Sequence, residues 1–235
     1  MMLVNEDGLI ELNYFNKGLE KFPMEDISKL TTEEKLRIEC LNLCSNSIKK
    51  IPDEIKDFKN LKILYLGNNK IESISPMLGE LKNLEELYLG GNNLTKLPNT
   101  VSSLNGLKKL DISRNKFEEI PLAIFKLITL TELSVSGNNI KRVSDDICDL
   151  TELNVLDLSS NNIKILTEMV SLLDKLTDLD LSNNRFKEIP KDIMNMTGLE
   201  NLRLNKNYID FIPVEIANLK NLKRLEASNN TIKFI

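Results

Sequence analysis

Hydrophobic residues recur along most of this chain at a fixed interval of 23 residues. Eight segments begin at Ile38, Leu61, Leu84, Leu107, Leu130, Leu153, Leu176 and Leu199 without insertion or deletion, and a ninth begins at Leu222 and stops after 14 residues. Each follows L-x-x-L-x-L-x-x-N-x-I-x-x-I-P-x-x-I-x-x-L-x-x, seen clearly from Leu176 through Asn184, Ile189 and Pro190 to Ile193 and Met196. Leucines at the fourth and sixth positions alternate with polar residues, which predicts a short strand pointing those leucines inward and its third, fifth and seventh residues outward. Further on the spacing changes, so that Ile51, Ile55 and Phe58 fall on one side of a helical turn. Pro52 suits the first position of that turn. Each repeat therefore reads as strand, turn and helical return.

One such unit cannot bury its apolar face, but stacked units share a core. Strands pack about 4.8 Å apart and the bulkier returns need more room. The expected fold is α/β: a curved arc with a parallel sheet of about ten strands on the concave face and short helical or 3-10 returns on the convex face. Position nine is Asn in every copy: Asn46, Asn69, Asn92, Asn115, Asn138, Asn161, Asn184, Asn207 and Asn230. The chain turns inward there, and buried backbone groups need side-chain amide partners, so these residues are expected to form an internal ladder. Three stretches are expected: a degenerate repeat and capping helix over 1–37, eight repeats over 38–221 and a partial repeat over 222–235.

This pattern resembles the leucine-rich repeat family, in particular its intracellular Ile-Pro class with 23-residue repeats, which includes Ras-suppressor-like and Ras-scaffold proteins and the repeat domains of polarity scaffolds. The resemblance runs from about Leu9 to Ile235. It implies a protein-binding scaffold, and the family supplies no catalytic residues to carry over.

The ends depart from the pattern. Leu9, Leu12, Leu19, Phe22 and Pro23 outline a degenerate repeat whose ladder asparagine has become Lys17. Between it and Ile38, Thr31-Thr32-Glu33-Glu34 offers a capping-box start for a helix, with Lys35 and Arg37 suited to its end. In the last segment Ala227 replaces a leucine, and the chain stops at Ile235 before a return. The expectation is that residues beyond this chain cap the stack, or that its end packs on a copy or partner.

Charge and composition narrow the function. With 31 basic against 35 acidic residues the net charge is -4, so no global positive field draws nucleic acid or an anionic membrane. No segment approaches the roughly 18 apolar residues of a membrane span. Together with an odd count of 3 cysteines and no basic-then-apolar leader, this gives a cytoplasmic expectation. Histidine is absent, which removes the commonest general base and most zinc sites. No phosphate-binding glycine loop is present, and Gly90-Gly91 reads as a tight turn beside the ladder. Cys40 and Cys44 occupy the third and seventh positions of one strand segment, roughly 13 Å apart at about 3.3 Å per residue, too far for a disulfide. Asp157, Asp178 and Asp180 fall on adjacent strands of an open sheet, where nothing strips a hydrated ion, and read as a solvated acidic patch. No catalytic residue, cofactor, metal or small-molecule substrate is expected.

The outward positions then mark a candidate face for a protein partner: Cys40, Ile63, Tyr65, Glu86, Tyr88, Asp111, Glu132, Asp157, Asp178, Asp180 and Arg203. Ile63, Tyr65 and Tyr88 group with Cys40 around Gly67 and Gly90, two small residues expected to leave space for an incoming side chain. Tyrosine buries much area with few rotatable bonds. Asp111, Glu132, Asp157, Asp178 and Asp180 make an acidic zone, and Arg203, Lys206, Lys223 and Arg224 a basic one. The function read from this is a non-catalytic scaffold or adaptor, expected to serve a small GTPase or phosphatase pathway. The alternative is the recognition domain of a larger multidomain enzyme, or a secreted effector or receptor module.

Overall fold

The computed structural model describes residues 2–5 and 7–233. The last two residues of the partial C-terminal repeat, 234 and 235, and residues 1 and 6 of the N-terminal stretch lie outside the described residues. The chain divides into two compact units: Met1–Lys116 with Pro121–Leu127, and Phe117–Ile120 with Ile128–Ile235.

In the first unit, β1 (Met2–Val4) is followed by β2 (Ile10–Asn13), β3 (Cys40–Asn42), β4 (Lys50–Ile51), β5 (Ile63–Tyr65), β6 (Ser73–Ile74), β7 (Glu86–Tyr88) and β8 (Lys109–Asp111). The order β1-β2-β3-β5-β7-β8 makes the main sheet, while β4 and β6 form a separate two-stranded one. Pairing is parallel from β2 onward and keeps like positions side by side, so Leu41 meets Leu64 and Leu64 meets Leu87. The exception is β1, which runs antiparallel to β2. Its turn is closed by Asn5, whose Oδ1 accepts from the N–H groups of Asp7 and Leu9, with Gly8 at φ 77°. The repeat pattern gave no sign of this strand, which lies outside it.

The second unit holds β9 (Glu132–Ser134), β10 (Val155–Asp157), β11 (Asp178–Asp180), β12 (Asn201–Arg203) and β13 (Arg224–Glu226), all parallel in that order. Leu156 and Leu158 are fully buried and Asp157 between them is half-buried. A slip of one residue would reverse every face.

Returns are 3-10 turns of five residues, such as Asp53–Asp57 and Lys191–Asn195. Pro52, Pro98, Pro121, Pro190 and Pro213 stand one place before their turns, at the cap; only Pro76 enters its turn. This corrects the placement read from the sequence: an extended cap residue tolerates the fixed φ and the missing N–H equally well. Ile51, Ile55 and Phe58 are all fully buried, and each such side chain contributes roughly 1.5–3 kcal/mol.

Helix α1 (Met24–Ile27) and helix α2 (Thr32–Arg37) lie between β2 and β3. At α2, Thr31 Oγ1 accepts from the Glu34 N–H and the Glu34 carboxylate accepts from the Thr31 N–H, closing the capping box. Lys35 pairs with Asp57 at 2.9 Å, joining α2 to the first return.

Candidate binding face

The asparagine ladder sets the geometry under the face. Asn161 Oδ1 accepts from the Ile140 N–H of the preceding repeat, while its Nδ2 donates to the carbonyls of Leu158 and Val135. Asn69, Asn92, Asn184 and Asn207 repeat this arrangement, and Asn115 and Asn138 likewise receive an N–H from the repeat before them and donate to carbonyls. The seven from Asn69 to Asn207 are 5–8% exposed. Asn46 and Asn230 keep the same bonds but are half-buried. The residue before each ladder asparagine is left-handed: Ser45, Asn68, Gly91, Arg114, Gly137, Ser160, Asn183, Lys206 and Asn229, and so is Asn16 before Lys17, with φ between 50° and 71°. That conformation turns the chain inward, and it explains the recurrence of Asn and Gly at this position.

In the first unit the tyrosines of β5 and β7 are register partners. Their rings stack with centroids 4.9 Å apart and planes 13° from parallel, and both are half-buried. The Tyr88 hydroxyl donates to Glu86 at 2.7 Å, and Glu86 also lies 3.7 Å from Lys109. Burial pushes the Tyr65 phenol above its ordinary range, with nearby Cys40 and Glu86 adding to the effect.

Two parts of the sequence reading are corrected here. Cys40 is fully buried and Ile63 is 7% exposed, so neither offers a partner much surface. Glu11 of β2 is the register partner of Cys40, and Asn5 and Asp7 of the segment after β1 lie close enough to act on its thiol, whose pKa is pushed up to about 12, chiefly by burial. Gly67 and Gly90 also leave no open slot. A side chain at 67 would meet the Gly90 carbonyl at 3.3 Å, and one at 90 would meet the Asp111 carboxylate at 2.5 Å.

In the second unit Asp157 and Asp180 are register partners, and Asp180 stands opposite Arg203 on β12. Asp157 Oδ1 accepts from the Ser159 N–H and Asp180 Oδ1 from the Ser182 N–H, as Asp111 does from Ser113 in the first unit. These aspartates thus brace the exit of their strands with one oxygen, a role the alternation alone did not reveal, and the other oxygen of Asp157 accepts from the Ser134 hydroxyl at 3.2 Å. Asp178 accepts from Thr177 and from Asn201. Glu132 and Arg203 are half-buried on the same face. The basic zone is partly neutralised: Lys223 pairs with Glu200 at 2.7 Å and Arg224 with Glu226 at 2.8 Å.

The repeat pattern is recognised directly. Residues 122–234 match a leucine-rich repeat region, 37–94 a leucine-rich repeat, and 82–123 a two-copy leucine-rich repeat. The chain belongs to the leucine-rich repeat family. A leucine-rich repeat protein of Leptospira interrogans is 29% identical with a TM-score of 0.86, over 95% of this chain and 67% of that one. The Arabidopsis receptor kinase HAESA, solved with a peptide hormone and a co-receptor, is 25% identical at TM-score 0.70, over 83% of this chain and 34% of its own. A plant peptide hormone receptor in complex with RGF2 shares the fold at TM-score 0.67 and 22% identity, over 100% of this chain and 51% of the receptor. A search of curated protein sequences found no match.

The three cysteines are free, and burial also raises the Cys44 thiol. Among the described residues no cluster of three His, Cys, Asp or Glu is placed to hold a metal ion, and no helix is long and apolar enough to cross a membrane. Two clefts of about 630 and 880 Å³ in the first unit lie at the turns flanking the strands, near Lys62 and near Lys49, and neither touches the tyrosines.

Proposed function

We propose that this chain is a non-catalytic protein-interaction module that holds a partner protein against the outward positions of its strands. The observation that carries this reading is the stacked pair Tyr65 and Tyr88, set on a rigid parallel sheet and bordered by carboxylates. Rigid aromatic anchors in a polar surround are the usual energetic centre of a protein interface. Asp157, Asp178 and Asp180 of the second unit add charge that favours a basic segment. Within this reading the chain acts as a cytoplasmic scaffold or adaptor, in signalling of the small GTPase or phosphatase kind.

A second reading, the recognition part of a larger protein, draws support from the coverage of relatives. The chain spans 51% and 34% of the two plant receptors, the first a peptide hormone receptor solved with RGF2 and the second solved with a peptide hormone and a co-receptor. Affinity capture from the native cell with wild-type chain, Tyr65→Ala and Tyr88→Ala tests the face. A protein retained by the wild type and lost with both variants supports it; a partner held equally by all three refutes it.

A further inference from the structure

We propose that the flank of the second unit beyond the ladder turn, where Lys141, Lys164 and Lys187 stand in succession beside Ile165, docks an acidic segment of a partner protein. The segment it fits is extended, with an apolar residue between its carboxylates. This surface is apart from the strand face and does not rest on the reading above. Its frame is backbone: the Asn162 N–H donates to the Ile140 carbonyl and the Arg185 N–H to the Ile163 carbonyl, both at 2.8 Å, so residues 139–142, 162–165 and 185–188 run side by side. The three lysines hold the same position in successive repeats, and all are exposed.

Charge elsewhere on the molecule follows a rule that lapses here. Residues 23 apart are neighbours on adjacent repeats, and lysine is set against glutamate: Lys62 with Glu39, Lys175 with Glu152 and Lys223 with Glu200 each pair at 2.7 Å. The lysine column begins the same way, with Lys141 3.7 Å from Glu118, but continues with lysine beside lysine. Arg142 and Arg185 add to it, so these three segments carry five cations against the one carboxylate of Glu188, in a chain whose net charge is -4. Among the described residues Arg142, Lys164, Arg185 and Lys187 make no ion pair. Like charges so placed repel, and an anion laid across them relieves the repulsion. Ile165 in their midst is 78% exposed, so an apolar side chain between the carboxylates gains by covering it. The basic strip is also narrow: the Asn139 N–H bonds the Phe117 carbonyl and the Asp210 N–H the Lys187 carbonyl, which sets Glu118 and Glu119 on one border and Asp210 on the other. A membrane or a nucleic acid, broad in its charge, meets those carboxylates as well, whereas three repeats about 4.8 Å apart match about three residues of extended chain.

The test titrates the full chain, nitrogen-labelled for amide spectra, with capped Asp-Glu-Leu-Glu-Asp, the same peptide with serine for leucine, phosphatidylserine-containing vesicles and an oligothymidylate. The leucine peptide is expected to shift the amide signals of Lys164, Ile165 and Lys187, to bind about fivefold more tightly than the serine peptide, and to weaken as salt rises. Lys164→Glu with Lys187→Glu should abolish binding, Ile165→Ser should erase the preference for leucine, and Glu188→Lys should tighten binding about two- to threefold. All four side chains are exposed, so circular dichroism stays native. No response to either peptide, equal binding of the two, shifts confined to other residues, binding that survives the paired lysine change, or tighter binding of vesicles or oligothymidylate overturns the proposal.

Discussion

The carboxylate of Asp111 takes the space that a side chain at Gly90 would need, with Oδ2 2.5 Å from where that Cβ would lie. Glycine at 90 is thus part of how the acid is held. Gly90 has an ordinary φ, so Gly90→Ala is expected to fold and to cost no more than about 1 kcal/mol, because the obstructing atoms are the ends of movable side chains. A loss of several kcal/mol in denaturant unfolding would show that backbone, not the carboxylate, fills that space.

Tyr65→Ala and Tyr88→Ala are each expected to weaken partner binding by about 2 kcal/mol or more, mainly through faster dissociation. The rings are half-buried on the outer face, so folding stability changes less. Replacing Lys191 and Asp192 on a return is the control, and neither rate constant should move. Sensitivity at the return and indifference at the tyrosines would place the interface on the other wall.

Asn161→Ala is expected to cost about 1–3 kcal/mol, because it strips the Ile140 N–H and the Leu158 and Val135 carbonyls of their partner. Asn162→Ala, one residue on, should cost little. Equal unfolding midpoints for the two variants would refute the ladder's energetic role.

Arg114 holds φ 50°, a conformation that costs an L-residue roughly 1–2 kcal/mol. Arg114→Gly removes that strain but adds about 0.5–1 kcal/mol of chain entropy to be lost on folding. The expected result is a neutral to slightly stabilising change, and Gly137→Val at φ 66° should destabilise. Thermal melts of both variants check the pair.

Asp157→Asn with Asp180→Asn keeps the side-chain acceptors for the Ser159 and Ser182 N–H groups while removing two charges. Stability should hold, and association with a basic partner should slow and lose salt dependence. Stopped-flow rates at two salt concentrations decide it.

Cys40 carries a thiol pushed up to about 12. Its folded pKa stands above the unfolded value of about 8.5, so its stabilising contribution is full below that value and is lost as pH rises towards about 12. Alkylation at pH 8 is expected to leave Cys40 unmodified until denaturant is added. Rapid labelling of the native chain would contradict its burial.

The sequence by itself determined the repeat, the strand positions, the ladder and the identity of the outward columns, because a period of 23 residues constrains every copy to one backbone path. Alternation told Asp157 from Leu156 and Leu158 for the same reason: inward and outward differ by a single residue. It did not tell what would lie over those columns. Cys40 occupies an outward position and is fully buried, since the hairpin segment at Asn5 and Asp7 reaches it from outside the repeat pattern. Nor did the sequence show that Gly90 is filled by Asp111 or that the tyrosines stack, because these contacts join residues 21 to 23 apart on neighbouring strands. Tertiary structure decided them: a local pattern fixes which way a side chain points, and only the neighbouring strand fixes what it meets there.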